Sequence, residues 1–473
     1  MTPARGTRRT SRACGLLVRT TLITLVAVGG TVAPVGTGAL GGRDVTAMAL
    51  DGPRGPATGG ARSPARDTAR GAARPVLATP SARRPDPRGT TPPTSAGPRP
   101  VAPVTTTLQT GCAARGSFDS VEAINRAVDQ LHVAPTFLGA DVGAGARLQD
   151  GRRLLLFGDT LRSPDVAGHR FVRNSMLLSS PGCLRAVLPA GRGAIVPDRA
   201  RPAGSTGAVV GYWPMSVTVT PRAGQDLVTV MLQRVRTTGG GTFDFENLGP
   251  SAALFTVGRG GTPQLLRLVD LGPDSPDVTR PAWGAASVLS DGWLYLYGTA
   301  GSTEAMTFGR SLRVARVRPD RVLTRSEWTY WDGRGWSRSA AAAAQLIPAV
   351  KGTSQTLSVF AQGGRWYALS KRDDFLGRDL TVWTAPTPWG PFDTGRTVAD
   401  LPSDPETGVL RYMPLAHPDL LPEPGTVVVS YSRNNTDLAT VLADPFSYRP
   451  RFLRVRLPVG EVRSTRYAGR LAP

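Results

Sequence analysis

Two aspartates, Asp141 and Asp159, carry the residue types and surroundings that most directly offer chemistry. Asp141 stands among Gly139, Gly143 and Gly145, which leave room for a ligand to approach the backbone. Asp159 closes the leucine-rich run Leu154 to Phe157, so its carboxyl emerges from an apolar wall that raises its pKa. Two carboxyls, one protonated and one ionised, can share acid, base or nucleophilic work on a bond held between them. Each also has a plainer use: Asp141 as a turn aspartate holding local amides, Asp159 as an Asp-Thr brace at the end of its strand.

Other residues can serve such a pair. Arg173 and Asn174 can orient either aspartate through charge-assisted hydrogen bonds. His417, held extended by Pro418, can bond an acid or a ligand hydroxyl, or simply be a satisfied core histidine. Glu304 and the pair Asp373-Asp374 are reserve acids, with solvated loop positions as the alternative. There is no Gly-x-x-x-x-Gly-Lys, no Gly-x-Ser-x-Gly, and the histidines, His132, His169 and His417, lack metal-ligand spacing. No cofactor and no catalytic metal are expected; a structural cation is left open.

The elements that must position these residues read as strands. Only Ser120 to Leu131, with Val121, Ile124, Val128 and Leu131 on one face, has helical spacing. Beyond it a hairpin recurs five times. The five run Gly145 to Phe157 around Asp150-Gly151, Val217 to Leu232 around Ala223-Gly224, Ala286 to Tyr297 around Asp291-Gly292, Leu357 to Leu369 around Gly363-Gly364, and Pro418 to Tyr431 around Pro424-Gly425. Each is followed by a further alternating strand: Ser175 to Ser179, Ala252 to Val257, Leu312 to Val317, Leu380 to Thr384 and Phe452 to Val455. Radial repetition of such units predicts an all-β, five-bladed β-propeller over residues 107–473. The segments that start each unit, holding Asp141, Trp213, Trp283, Gln355 and Tyr412, then converge on one mouth of the axis.

The chain has 473 residues and a net charge of +21, much of it in the stretch before residue 107. Arg5, Arg8, Arg9 and Arg12 precede the apolar run Leu16 to Val28, as in an export signal or a membrane anchor, assigned to residues 1–40. Residues 41–106, rich in Pro, Arg, Ala and Gly, lack the large apolar side chains needed to offset chain entropy and read as a disordered stalk. Export predicts an extracellular or wall-associated protein, with the basic stalk either adhering to an anionic wall or serving as a spacer. Lys351 and Lys371 are the only lysines, an arginine bias that reflects coding composition and gives no support for nucleic-acid binding. In an oxidising compartment Cys112 and Cys183 are expected to pair; two separate buried thiols are the alternative.

Five strings, Gly139-Ala140-Asp141, Leu156-Phe157-Gly158-Asp159-Thr160, Arg173-Asn174-Ser175, Trp328-Thr329-Tyr330-Trp331-Asp332-Gly333, and His417-Pro418-Asp419 followed by Ser430-Tyr431-Ser432, carry a resemblance in their order and spacing. The chain resembles the five-bladed propellers of the glycoside hydrolase and levansucrase type. Within them it resembles an actinobacterial domain family whose characterised members are endo-D-arabinanases of cell-wall arabinan. The resemblance implies a glycoside hydrolase of a furanoside polysaccharide, with Asp141 and Asp159 as the two carboxyls such hydrolysis needs. It implies Trp213, Trp283 and Tyr412 as flat faces for sugar C–H groups, with core packing as the alternative. One departure follows Tyr297-Gly298-Thr299: that family has a short glycine-arginine turn, whereas here Ala300 to Phe308 forms a longer stretch containing Glu304. A reading from another class is a noncatalytic surface propeller that binds glycan or a protein.

Overall fold

The computed structural model describes residues 103–133, 135–166, 170–200, 208–239 and 244–458. The export segment expected over 1–40, and the stalk up to residue 102, lie outside the described residues. The last stalk residues do not: Val104 bridges Leu265, and Thr106–Leu108 pairs with the edge strand Cys183–Pro189. The β-branched run around Thr105 to Thr107 is good edge-strand material, and two open sheet edges recruit it.

All five expected turns lie in connections that close antiparallel hairpins, but in the last the first strand is Val409–His417, and Pro418 to Gly425, expected to begin as strand, is the loop. At Asp291-Gly292 and Gly363-Gly364 both turn residues take positive φ (49° and 73°, 57° and 73°), which tight hairpin turns require and glycine makes inexpensive. The first sheet runs outward from Gly139–Arg147 through Arg153–Leu161, Ser175–Ser180 and Cys183–Pro189. The second has the order Val210–Arg222, Gln225–Thr237, Phe245–Gly258, Gln264–Asp270. The third begins Ala282–Ser290, Trp293–Ala300, Ser311–Val317; the fourth is Ser358–Gln362, Arg365–Lys371, Asp379–Ala385, Arg396–Asp400. The fifth has three strands, Val409–His417, Thr426–Asn435 and Arg451–Arg456.

The innermost strands pack on one another in chain order, first to second and so on to the fifth, and the fifth packs back on the first. The apolar residues follow this arrangement. Leu154, Leu156 and Met176 meet Val228, Val230 and Phe255 between the first and second sheets. Met231 and Ala252 meet Trp283 and Leu296 between the second and third, and Tyr295, Tyr297 and Leu312 meet Val359 and Trp383 between the third and fourth. Tyr367, Leu369 and Val382 meet Val427 and Val429 between the fourth and fifth. The molecule is an all-β propeller whose hydrophobic core is divided among the contacts between successive sheets.

Closure between the fifth and first sheets uses a helix. In α1, Val121–Asp129, Ser120 caps the N-terminus by accepting the Ala123 amide at 3.1 Å, and Ala123, Ile124, Ala127 and Val128 form the buried face. Asn125 on this helix donates to the Phe452 carbonyl and accepts its amide, both at 2.9 Å, so it satisfies the open edge of the fifth sheet as a strand would. Arg449, 1 % exposed, donates to the carbonyls of Val128, Asp129 and Leu138 and ties the end of α1 to the first sheet. Cys112 and Cys183 form a disulfide, Cα atoms 5.3 Å apart, linking the segment before α1 to the first sheet.

Candidate active site

The inner strands are bent at corresponding places. Register shifts fall between Ala140 and Ala144, Pro214 and Ser216, Trp283 and Ala286, and Tyr412 and Leu415. An extra residue in one strand re-aims its neighbours, and the residues next to these bulges are Asp141, Trp213, Trp283 and Tyr412. At the first bulge Val142 takes φ 69°, a left-handed conformation costly for a β-branched residue. Ser432 Oγ on the fifth sheet holds it by accepting the Val142 amide at 2.9 Å.

Turned out of its strand, the Asp141 carboxylate lies over Gly158. A Cβ at 158 would stand 2.4 Å from Asp141 Oδ1, so only glycine leaves the space. Tyr412 donates its hydroxyl to Asp141 Oδ2 at 2.7 Å, and Asn434 donates to that hydroxyl at 3.3 Å. Tyr448 also hydrogen-bonds the carboxylate, while its own carbonyl accepts the Ala140 amide at 2.7 Å. Burial raises the Asp141 pKa far above the usual carboxylate range, and the nearby charge of Asp159 raises it further, against the two tyrosine hydrogen bonds.

Asp159 follows Gly158 and lies close enough to Asp141 for their charges to interact, its side chain 20 % exposed. Trp213 of the second sheet donates its indole N–H to Asp159 Oδ1 at 2.7 Å. Arg173 reaches both oxygens at 3.3 Å and also bonds the Thr237 hydroxyl. Burial raises this pKa too, while the Arg173 charge and the Trp213 and Arg173 hydrogen bonds pull it back. The arrangement sorts two adjacent carboxyls: Asp141, beside a like charge, keeps its proton longer, and Asp159, beside a guanidinium, gives its proton up first.

Of the residues singled out in sequence, the structure brings together Asp141, Asp159, Arg173, Trp213 and Tyr412. Trp213 and Tyr412 act through their polar ends on the carboxylates; the Trp213 ring packs edge-on against Phe245, centroids 4.7 Å apart. Asn174 is fully buried, and its amide is spent on Val196 and the Tyr212 carbonyl, so it braces the scaffold and has nothing left for a ligand. His417 is a core histidine, 1 % exposed, bonded to Ser430 Oγ at 2.7 Å, its pKa lowered to about 4 by burial. Trp283 is buried between the second and third sheets. Glu304 lies exposed in its loop, and Asp373 sits at φ 59° in the loop after Arg365–Lys371; neither joins the pair.

Four contributors escaped the sequence. Asn434 comes from the second strand of the fifth sheet and Tyr448 from the connection between its second and third strands, Gly158 supplies only an absence of side chain, and Asp198 raises the Asp159 pKa by its charge. Asp198 and Arg173 both lie over Gly211, where a Cβ would meet them at 2.8 and 2.6 Å. The glycine of Gly158-Asp159 was a readable signal; for the others none was available. Among the described residues no cluster of three or more His, Cys, Asp or Glu is disposed to hold a metal.

Residues 131–457 match the family described as a domain of unknown function, DUF5005, and the chain belongs to it. No curated protein matches the chain. Among solved structures, it is similar to a GH43 β-xylosidase/α-arabinofuranosidase from a compost microbial metagenome, at 15 % identity and TM-score 0.40, covering 74 % of this chain and 96 % of that one. A GH43_1 enzyme from Xanthomonas citri is similar at 14 % identity and TM-score 0.38, covering 69 % and 91 %. The α-L-arabinanase of Cellvibrio cellulosa complexed with arabinohexaose is similar at 11 % identity and TM-score 0.36, covering 68 % and 94 %.

Proposed function

We propose that this member of the DUF5005 family is a glycoside hydrolase acting on a furanoside polysaccharide such as cell-wall D-arabinan, exported and held at or beyond the cell wall. The observation that carries the reading is the sorted pair: Asp141 over Gly158 with its pKa raised, Asp159 beside it and charge-paired to Arg173. Protonated Asp141 gives its proton to the leaving glycosidic oxygen as the C–O bond breaks. Ionised Asp159 either attacks the anomeric carbon or removes a proton from the attacking water. Tyr412 and Tyr448, whose pKa values burial raises well above the ordinary phenol, remain neutral donors and hold Asp141 in place. The furanoside and the wall location rest on the resemblance of Gly139-Ala140-Asp141 and the accompanying strings, and on the arginine-flanked apolar run near the N-terminus.

The test is release of reducing sugar from arabinogalactan by the purified protein and by Asp141→Asn and Asp159→Asn. Hydrolysis should fall about 10²–10⁴-fold in each variant, with circular dichroism unchanged. Folded wild type that binds the polymer without cleaving it would replace the hydrolase with a noncatalytic glycan-binding propeller.

A further inference from the structure

A cavity of about 300 Å³ opens between the second and third sheets, walled by Gln233, Asn247, Trp283, Arg310 and Gln355. It is separate from the carboxylate pair but close to it, since Gln233 stands opposite Trp213 in the register of the second sheet. The volume is about tenfold a water's share of the liquid and sits at the lower end of ordinary ligand sites.

Its polar groups are incompletely used. Gln233 is 1 % exposed; its Nε2 donates to the Arg234 and Gly249 carbonyls at 3.2 and 3.4 Å. That anchorage fixes the amide and leaves Oε1 buried without a partner. Asn247 repeats the pattern: Nδ2 donates to Gln355 Oε1 at 3.3 Å, and Oδ1 is buried and unpartnered. A buried acceptor left empty has lost its hydration with nothing in return, so two in one cavity call for a donor from outside.

The surroundings narrow the donor. Arg280, Arg310 and Arg325 line the cavity against one carboxylate, Asp277, which its own turn engages through Thr279; Arg310 is paired with Asp374 at 3.0 Å. The arginine excess disfavours a cation, and two empty acceptors disfavour an anion. The apolar wall includes Trp283, Pro250 and Pro281, which suits C–H groups. We propose that this cavity is a second binding site for a neutral polyhydroxylated ligand, a single sugar unit whose hydroxyls donate to Gln233 Oε1 and Asn247 Oδ1. It rests on the hydrolase reading only in the choice of sugars to try.

The experiment uses the Asp159→Asn variant, with methyl α-D-arabinofuranoside and methyl β-D-xylopyranoside as probes followed by saturation-transfer NMR. At least one probe should bind, and adding Gln233→Leu or Asn247→Leu should weaken it tenfold or more with the thermal transition retained. Asn247 is only half buried, so its variant keeps the test alive if the Gln233 variant misfolds. Binding indifferent to both substitutions, or no binding by either probe, overturns the inference. Gln233-dependent binding in a protein that hydrolyses nothing would keep this site while removing the hydrolase; hydrolysis without such binding would do the reverse.

Discussion

Asp141 is held in a position that only its neighbours' chemistry makes tenable, and that has measurable consequences. Between the ordinary carboxylate pKa and its raised value of about 7, the folded protein binds a proton the unfolded chain would release, so this group's contribution to stability falls as pH rises through that window. Asp141→Asn removes the charged form, and its thermal midpoint should exceed that of wild type by a few degrees at pH 8 while matching it more closely near pH 4. Activity should follow a narrow bell. It rises as Asp159 loses its proton near 6 and falls as Asp141 loses its own near 7, the two apparent values belonging to the pair. Arg173→Met takes away the charge that lowers the Asp159 value, and the acid limb should move to higher pH. Gly158→Ala tests placement: its Cβ would displace Asp141 Oδ1, and kcat should fall at least tenfold with little change in unfolding midpoint. The aspartates were legible because a carboxyl after a leucine-rich strand and another among glycines are unusual surroundings. The jobs of Trp213 and Tyr412 were not, because an aromatic at a strand start looks the same whether its ring or its polar end does the work.

At the scale of elements, the repeated hairpins were legible because glycine and aspartate turns fall where tight reversals need positive φ, and the third strands because they alternate. The strings that carried the resemblance prove to be largely scaffold: Ser432 holds the strained Val142 amide, Ser430 bonds His417, Asn174 ties the first sheet to the second, and Trp328 is core. That explains why Asn174 and His417 read as candidate ligands, since a motif preserves what positions a site as well as what acts in it. The role of α1 was hidden. Its apolar face announces a helix, but nothing local says that Asn125 will serve as the missing edge strand for Phe452, far along the chain. Asn125→Ala leaves a backbone donor and acceptor unpaired at that edge and should cost about 1–3 kcal/mol in urea unfolding; an unchanged midpoint would mean solvent reaches the edge and the helix is only a lid.

For the whole molecule, the hydrophobic core is divided among the contacts between sheets, and no single one secures the others. The contact between the fifth and first sheets is the vulnerable one, because it is closed by side chains and a helix: Arg449 and Asn125 bind backbone groups there, and Arg451 pairs with Asp129 at 2.7 Å. The disulfide spans a sequence separation of 71 and anchors the segment that leads into this helix. Its loss restores loop entropy to the unfolded chain worth roughly 4 kcal/mol, whereas the carboxylate pair lies on the first sheet's two inner strands and Cys183 on its outer strand Cys183–Pro189. Cys112→Ser with Cys183→Ser should therefore unfold at lower urea concentration with the hydrolytic rate at 25 °C unchanged. A rate that falls with stability would show instead that the Tyr448 and Tyr412 side of the site depends on this closure for its geometry. Adding Arg449→Met should then deepen the loss of rate beyond the sum of the separate changes, since coupled parts of one closure do not add.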